Sequence, residues 1–125
     1  MKAVFDTNIL IDYLNGHQVA ARTLAGYSEK IISRITWIEV LVGAANPAED
    51  SVARQFLAAF RVVETRTEIA EHAICLRRDN GAGRRLKLPD AIIYATAKTE
   101  SCNLLTRNTN DFDATAPDVV APYTL

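Results

Sequence analysis

Lys2-Ala3-Val4-Phe5-Asp6-Thr7-Asn8-Ile9-Leu10-Ile11-Asp12 changes character at Asp6. Before that acid, Lys2-Ala3-Val4-Phe5 is a short apolar run that reads as a strand. After it, residues 8–14 carry apolar side chains at helical spacing and stop at Asn15-Gly16. A strand that hands an acid to the start of a helix is the repeating unit of a parallel sheet, and the rest of the chain continues the pattern. Residues 18–27 read as a helix, Ile31-Ile32-Ser33 as a strand, and residues 36–45 as a helix ended by Asn46-Pro47. Residues 49–60 are amphipathic, with Val52, Phe56, Leu57 and Phe60 on one face. Val62-Val63 is a further strand and residues 68–78 a further helix, broken by Asn80-Gly81-Ala82-Gly83. Pro89 suits the first turn of a helix reaching Glu100, and Leu104-Leu105-Thr106 and Val119-Val120 read as the last strands. The expected fold is α/β: a central, mostly parallel sheet flanked by helices on both faces, with any ligand beyond the carboxyl ends of the strands. No repeat, low-complexity tract or linker divides residues 1–125, so a single domain is expected.

Composition narrows the function classes. With 49% hydrophobic and 23% charged residues the chain reads as an ordinary globular protein rather than a disordered one. A net charge of −1 gives no global attraction to polyanions, so any such binding must come from a local patch. One exists: Arg77, Arg78, Arg84, Arg85 and Lys87, five of the fourteen basic residues, fall within eleven positions. Cys75 and Cys102 form no CxxC pair and suggest no disulfide scaffold. Asp6 interrupts what would have to be a signal-peptide apolar region, and no run approaches 18 apolar residues. A cytoplasmic protein without membrane segments is expected.

Four acids sit among apolar neighbours: Asp6 after Phe5, Glu39 within Trp37-Ile38-Glu39-Val40-Leu41, Asp90 before Ala91-Ile92-Ile93, and Asp111 beside Phe112. Ionised carboxylates in apolar surroundings need a partner, and neither Asp6 nor Glu39 has a basic neighbour in sequence apart from Lys2. Each has a local explanation. Asp6 can cap a helix, Thr36-Trp37-Ile38-Glu39 matches a capping box, Asp90 suits a first helical turn, and Asp111 lies in a polar loop. Caps, however, need no particular companions, whereas these acids all fall at strand ends and helix starts, on one rim of a sheet. Convergence on a divalent cation explains them jointly, since Mg2+ and Mn2+ prefer oxygen ligands and promote phosphodiester hydrolysis. His72 and Cys75 supply only two ligands and make no zinc site. Gly81-Ala82-Gly83 lacks the strand and spacing of a phosphate-binding loop.

The chain resembles the PIN-domain ribonucleases, most closely the VapC-type toxins of bacterial toxin-antitoxin pairs. The resemblance lies in residues 4–12, in Ser33-Arg34-Ile35-Thr36-Trp37-Ile38-Glu39-Val40 with Gly43, in Leu86-Lys87-Leu88-Pro89-Asp90-Ala91-Ile92-Ile93 with Ala95 and Ala97, and in Leu104-Leu105-Thr106-Arg107-Asn108 with Asp111-Phe112. It implies a PIN-like domain acting as an endoribonuclease, with Asp6, Glu39, Asp90 and Asp111 binding Mg2+ or Mn2+. Asn8, Thr106 and Asn108 would support those acids or touch substrate, and Asp113 offers a second carboxylate beside Asp111. Asp12 is expected to face solvent or the rim of the site. Arg84 and Arg85, in the basic loop, would hold RNA phosphates that the acids repel. The resemblance further implies a homodimer and a cognate antitoxin, for which Ile9, Leu10, Leu14, Trp37, Leu41, Val52 and Phe56 provide spare apolar surface. Two rival readings stand beside it. A haloacid-dehalogenase-like phosphatase also opens with Asp after a strand but needs a second Asp where Asn8 stands, and a non-catalytic interaction module would use its acids only as caps.

Overall fold

The computed structural model describes residues 1–78 and 86–125. In chain order the elements are β1 (Lys2–Phe5), α1 (Thr7–Leu14), α2 (Gln18–Ala25), β2 (Glu29–Ser33), α3 (Arg34–Val42), α4 (Pro47–Leu57), β3 (Arg61–Val63), α5 (Thr67–Arg78), α6 (Leu88–Thr99), β4 (Asn103–Leu105) and β5 (Val119–Val120). The five strands form one sheet in the order β3-β2-β1-β4-β5, with every neighbouring pair parallel.

Side-chain alternation along each strand divides the core in two. Val4, Ile31, Val63, Leu104 and Val119 point to the face covered by α5 and α6, where they meet Ile69, Ala73, Ala91 and Ile93. Their strand neighbours Ala3, Phe5, Ile32 and Leu105 point to the opposite face and meet Ile9, Leu10, Leu24, Val40 and Leu57 of α1 to α4. Phe5 packs edge-on against Tyr27 and Phe60, with ring centroids 5.4 and 6.2 Å away. Helix α6 is the most enclosed of the six: Ala91, Ile93, Ala95 and Ala97 have no exposed surface, because alanines let the helix approach both the sheet and α5.

The topology locates a crevice. From β1 the chain steps outward through β2 to β3, then returns across the sheet by way of α5 and α6 to β4 on the far side of β1. Right-handed crossovers running in opposite directions must lie on opposite faces, and this arrangement separates the connecting loops between β1 and β4.

Two local expectations give way. Helix α3 starts at Arg34, two residues before the expected start, because Ser33 ends β2 in extended conformation and its hydroxyl accepts the Ile35 N–H at 3.0 Å. Thr36 is therefore inside the helix and fully buried, and the predicted capping box with Glu39 does not form. Reciprocal capping occurs instead at α4, where Asn46 Oδ1 accepts the Glu49 N–H at 2.9 Å and Glu49 Oε1 accepts the Ala45 N–H at 2.8 Å. The second concerns Val52, which is 59% exposed while Ala53 and Leu57 carry the buried face of α4.

Candidate active site

The site begins where β1 ends. The Asp6 N–H donates to Leu105 O at 2.8 Å, extending the ladder one residue past the strand and holding the Asp6 side chain beside the end of β4. That carboxylate is 4% exposed. It accepts three hydrogen bonds: the Thr7 N–H at 2.8 Å, as the cap of α1, Asn8 Nδ2 at 3.1 Å and Thr106 Oγ1 at 2.8 Å. The donors are fixed in turn. Thr106 Oγ1 accepts the Asn108 N–H at 2.9 Å, and Asn8 Oδ1 accepts the Arg107 N–H at 3.2 Å. Asn8, Thr106 and Asn108 are thus joined in one network around Asp6.

Asp90 occupies the first turn of α6, and Asp111 approaches from the loop after β4. The Asp111 charge, after burial, helps to raise the Asp90 carboxyl above its ordinary value. Asp111 also accepts Asn108 Nδ2 at 2.7 Å and lies 3.9 Å from Lys87 Nζ. Glu39 differs from the other three in being exposed, contrary to the expectation of a buried acid. Its Oε1 accepts Thr7 Oγ1 at 2.6 Å, and Thr7 Oγ1 lies 3.0 Å from Thr36 Oγ1. With a single proton, Thr7 donates to the carboxylate and accepts from Thr36. Asp6, Glu39 and Asp90 face the same open cavity of about 330 Å³. Asp111 does not line it and reaches it through Asp90.

Mutual repulsion marks this cluster. Burial, with the Asp90 and Glu39 charges, pushes Asp6 up to about 6, against the lowering influence of Thr106 and Thr7. Burial followed by the charges of Asp111 and Glu39 likewise pushes Asp90 up to about 6. Such groups are short of positive charge. Among the described residues, no three acidic, histidine or cysteine side chains stand close enough to form a ready metal cage. The donor set still fits Mg2+ or Mn2+, because Mg2+ keeps several waters and is held through one or two carboxylates rather than a full protein cage.

Two neighbouring acids are resolved by their partners. Asp113 accepts the N–H and hydroxyl of Thr115, at 3.0 and 2.6 Å, within its own exposed turn. Asp12 corrects the sequence reading: it is 3% exposed and paired with Arg107 and Tyr123 rather than facing solvent. Those partners lie about a hundred residues away in sequence, so local pattern gave no sign of them. Thr7, which stands between Asp6 and Asn8 in sequence, holds Glu39. Arg84 and Arg85, and the loop Asn80-Gly81-Ala82-Gly83, lie outside the described residues. Of the apolar residues expected to be spare, Ile9 and Leu10 are entirely core.

Comparison with known proteins agrees with this architecture. A family model for the PIN domain matches residues 3–117, and the chain belongs to that family. The chain is similar to a chain of a toxin-antitoxin complex from Klebsiella pneumoniae, at 43% identity over 98% of this chain and 99% of that one, with a TM-score of 0.89. FitAcB from Neisseria gonorrhoeae superposes with a TM-score of 0.82 at 24% identity, covering 98% of this chain and 99% of its own. VapBC-1 from nontypeable Haemophilus influenzae does so with a TM-score of 0.75 at 22% identity, covering 98% of each chain. These last two likenesses bear on the fold. None of the curated proteins matches the sequence. The resemblance to VapC-type PIN toxins is borne out, and the haloacid-dehalogenase-like alternative falls away.

Proposed function

We propose that this chain is a metal-dependent endoribonuclease acting as the toxin of a toxin-antitoxin pair. One observation carries the reading: in a chain of the PIN family, Asp6, Glu39 and Asp90 come from three separate segments to one cavity at the carboxyl edge of the sheet. Acids that served only as caps would have no reason to converge there.

Asp6, Glu39, Asp90 and Asp111 would hold Mg2+ or Mn2+, which when bound lowers the pKa of a coordinated water and offsets charge on the scissile phosphate. The chain's own contribution is rigidity. Asp6 keeps one orientation because its three donors come from α1 and from the end of β4. Thr7 holds Glu39 toward the cavity although that residue is exposed. Asn108 steadies Asp111. Arg84 and Arg85 would bind the flanking RNA phosphates.

A partner surface accompanies the site. Ile11, Leu14, Val40 and Val52 line a groove of about 490 Å³ on the side of α1, α3 and α4. An apolar helix of a cognate antitoxin would fill such a groove, and an arginine from it would compete with metal for Asp6 and Asp90. The similar Klebsiella pneumoniae protein is part of a toxin-antitoxin complex, which supports this reading. A homodimer is expected on the same family grounds. Residence in the cytoplasm suits two free cysteines, and among the described residues no helix is long and apolar enough to cross a membrane.

The direct test is RNA cleavage by purified protein with Mn2+. Glu39→Gln and Asp90→Asn should each abolish cleavage with the far-ultraviolet circular dichroism unchanged. Cleavage at the wild-type rate by Asp90→Asn would exclude the mechanism.

A further inference from the structure

Asp12 and Arg107 form an ion pair that the reading above leaves unused. Asp12 lies in α1, and its two oxygens receive Arg107 Nε at 2.6 Å and Nη2 at 2.9 Å. Tyr123, two residues from the end of the chain, donates its hydroxyl to the same Oδ2 at 2.7 Å. Burial alone would push the Asp12 carboxyl up, but Arg107 and Tyr123 outweigh it and hold the group below its ordinary value. A pair buried in this way is a weak source of stability, since desolvation can cost as much as the attraction returns. What it does well is fix a direction. A guanidinium gripped through two nitrogens loses most of its freedom to reorient, and any third contact it makes is organised in advance.

The location gives that direction a use. The Arg107 N–H donates to Asn8 Oδ1, and Asn8 Nδ2 donates to Asp6, so the arginine backbone is two hydrogen bonds from the most buried acid of the site. Its side chain remains 33% exposed and lines the same cavity as Asp6, Glu39 and Asp90. Left unrestrained, a cation there would swing onto those carboxylates and occupy the place of a metal ion. Asp12 holds it back by a bidentate pair while leaving part of it open to the cavity. A polyanion approaching three carboxylates needs a fixed positive charge at the entrance.

We propose that Arg107 binds a phosphate of the RNA strand at the mouth of the acidic cavity, with Asp12 and Tyr123 as positioning residues that aim it. The proposal rests on the ribonuclease reading and adds a substrate contact to it. The experiment measures binding of a labelled single-stranded RNA oligonucleotide in metal-free buffer against salt concentration, and KM and kcat with Mn2+. Arg107→Gln and the double variant Asp12→Asn with Arg107→Gln should both raise KM about tenfold or more, the loss expected of one charge-assisted hydrogen bond. Both should lower the magnitude of the logarithmic salt slope by about 0.7, one phosphate contact to a single strand. Tyr123→Phe keeps the charge but loosens its aim, so KM should rise with the slope unchanged. If Arg107 merely neutralised Asp12, the double variant, which carries neither charge, would match the wild type in KM and slope, and the proposal would be overturned. Should the variants not fold, the Arg107 Nε–H resonance of the wild-type protein gives a second readout: it should shift on adding RNA, and a fixed resonance in the presence of bound RNA overturns the proposal. Wild-type protein that neither binds nor cuts RNA contradicts the ribonuclease reading itself. Wild-type protein that cuts RNA while Arg107→Gln matches it contradicts only the role of Arg107.

Discussion

Asp6 and Asp90 are both pushed up to about 6, yet they stand in different surroundings. Asp6 accepts three hydrogen bonds, and an amide in its place would turn an NH2 toward at least one donor. Asp90 is partly exposed, and among the described residues no such set of donors surrounds it. Asp6→Asn therefore exchanges relief from burial and repulsion for a broken network, whereas Asp90→Asn brings that relief with no such network to break. The sign follows from linkage: an acid whose folded pKa is raised binds its proton more tightly in the folded state, so it contributes stability below about pH 4 that is lost as pH rises to about 6. For Asp90, a shift from 3.8 to about 6 corresponds to about 3 kcal/mol, an upper figure because the group is partly exposed and solvent screens it. In metal-free buffer, Asp90→Asn should gain melting temperature relative to wild type as pH rises from 4 to 6 and keep that gain at pH 7. A difference that is flat across this window would show that burial and the neighbouring acids do not raise Asp90. The four acids were legible in sequence because each stands beside apolar residues, but the contrast between Asp6 and Asp90 was not, since Thr106 is a hundred positions from Asp6.

At the scale of elements, the order of strands and helices could be read along the chain because buried parallel strands are short apolar runs and amphipathic helices repeat at 3.6 residues. Boundaries were less legible where two capping signals competed. Ser33 and Thr36 both suit a helix start, and only the end of β2 decides for Ser33. The same shift carries Glu39 out of a capping role and leaves it free to meet Thr7. Helix α4 shows the opposite case: Val52 fits the apolar face by spacing, but Ala53 and Leu57 are the residues that reach the core. Val52 is left beside the groove of Leu14 and Val40. Val52→Glu should consequently abolish co-purification with a cognate antitoxin while leaving RNA cleavage by the free chain intact, because α4 lines the groove and supplies none of the acids. Undiminished co-purification would place the antitoxin on another surface.

For the whole molecule, the reversal of strand order between β1 and β4 is what assembles the site. It sets Asp6 and Thr106 side by side and brings the start of α6, with Asp90, to the same edge. Neither the reversal nor the ion pair of Asp12 with Arg107 can be read from local pattern, since both depend on which strands become neighbours. The central claim is that this edge binds a divalent cation, and it can be tested without knowing the RNA target. An ion that binds only the folded site stabilises by mass action, by about 2.7 kcal/mol at a hundredfold excess over its dissociation constant. The melting temperature of the wild type should rise as Mn2+ is added, while that of the Asp6→Asn, Asp90→Asn double variant should not move. An equal rise in both proteins, or none in either, would contradict the assignment of these acids to a metal-dependent nuclease site.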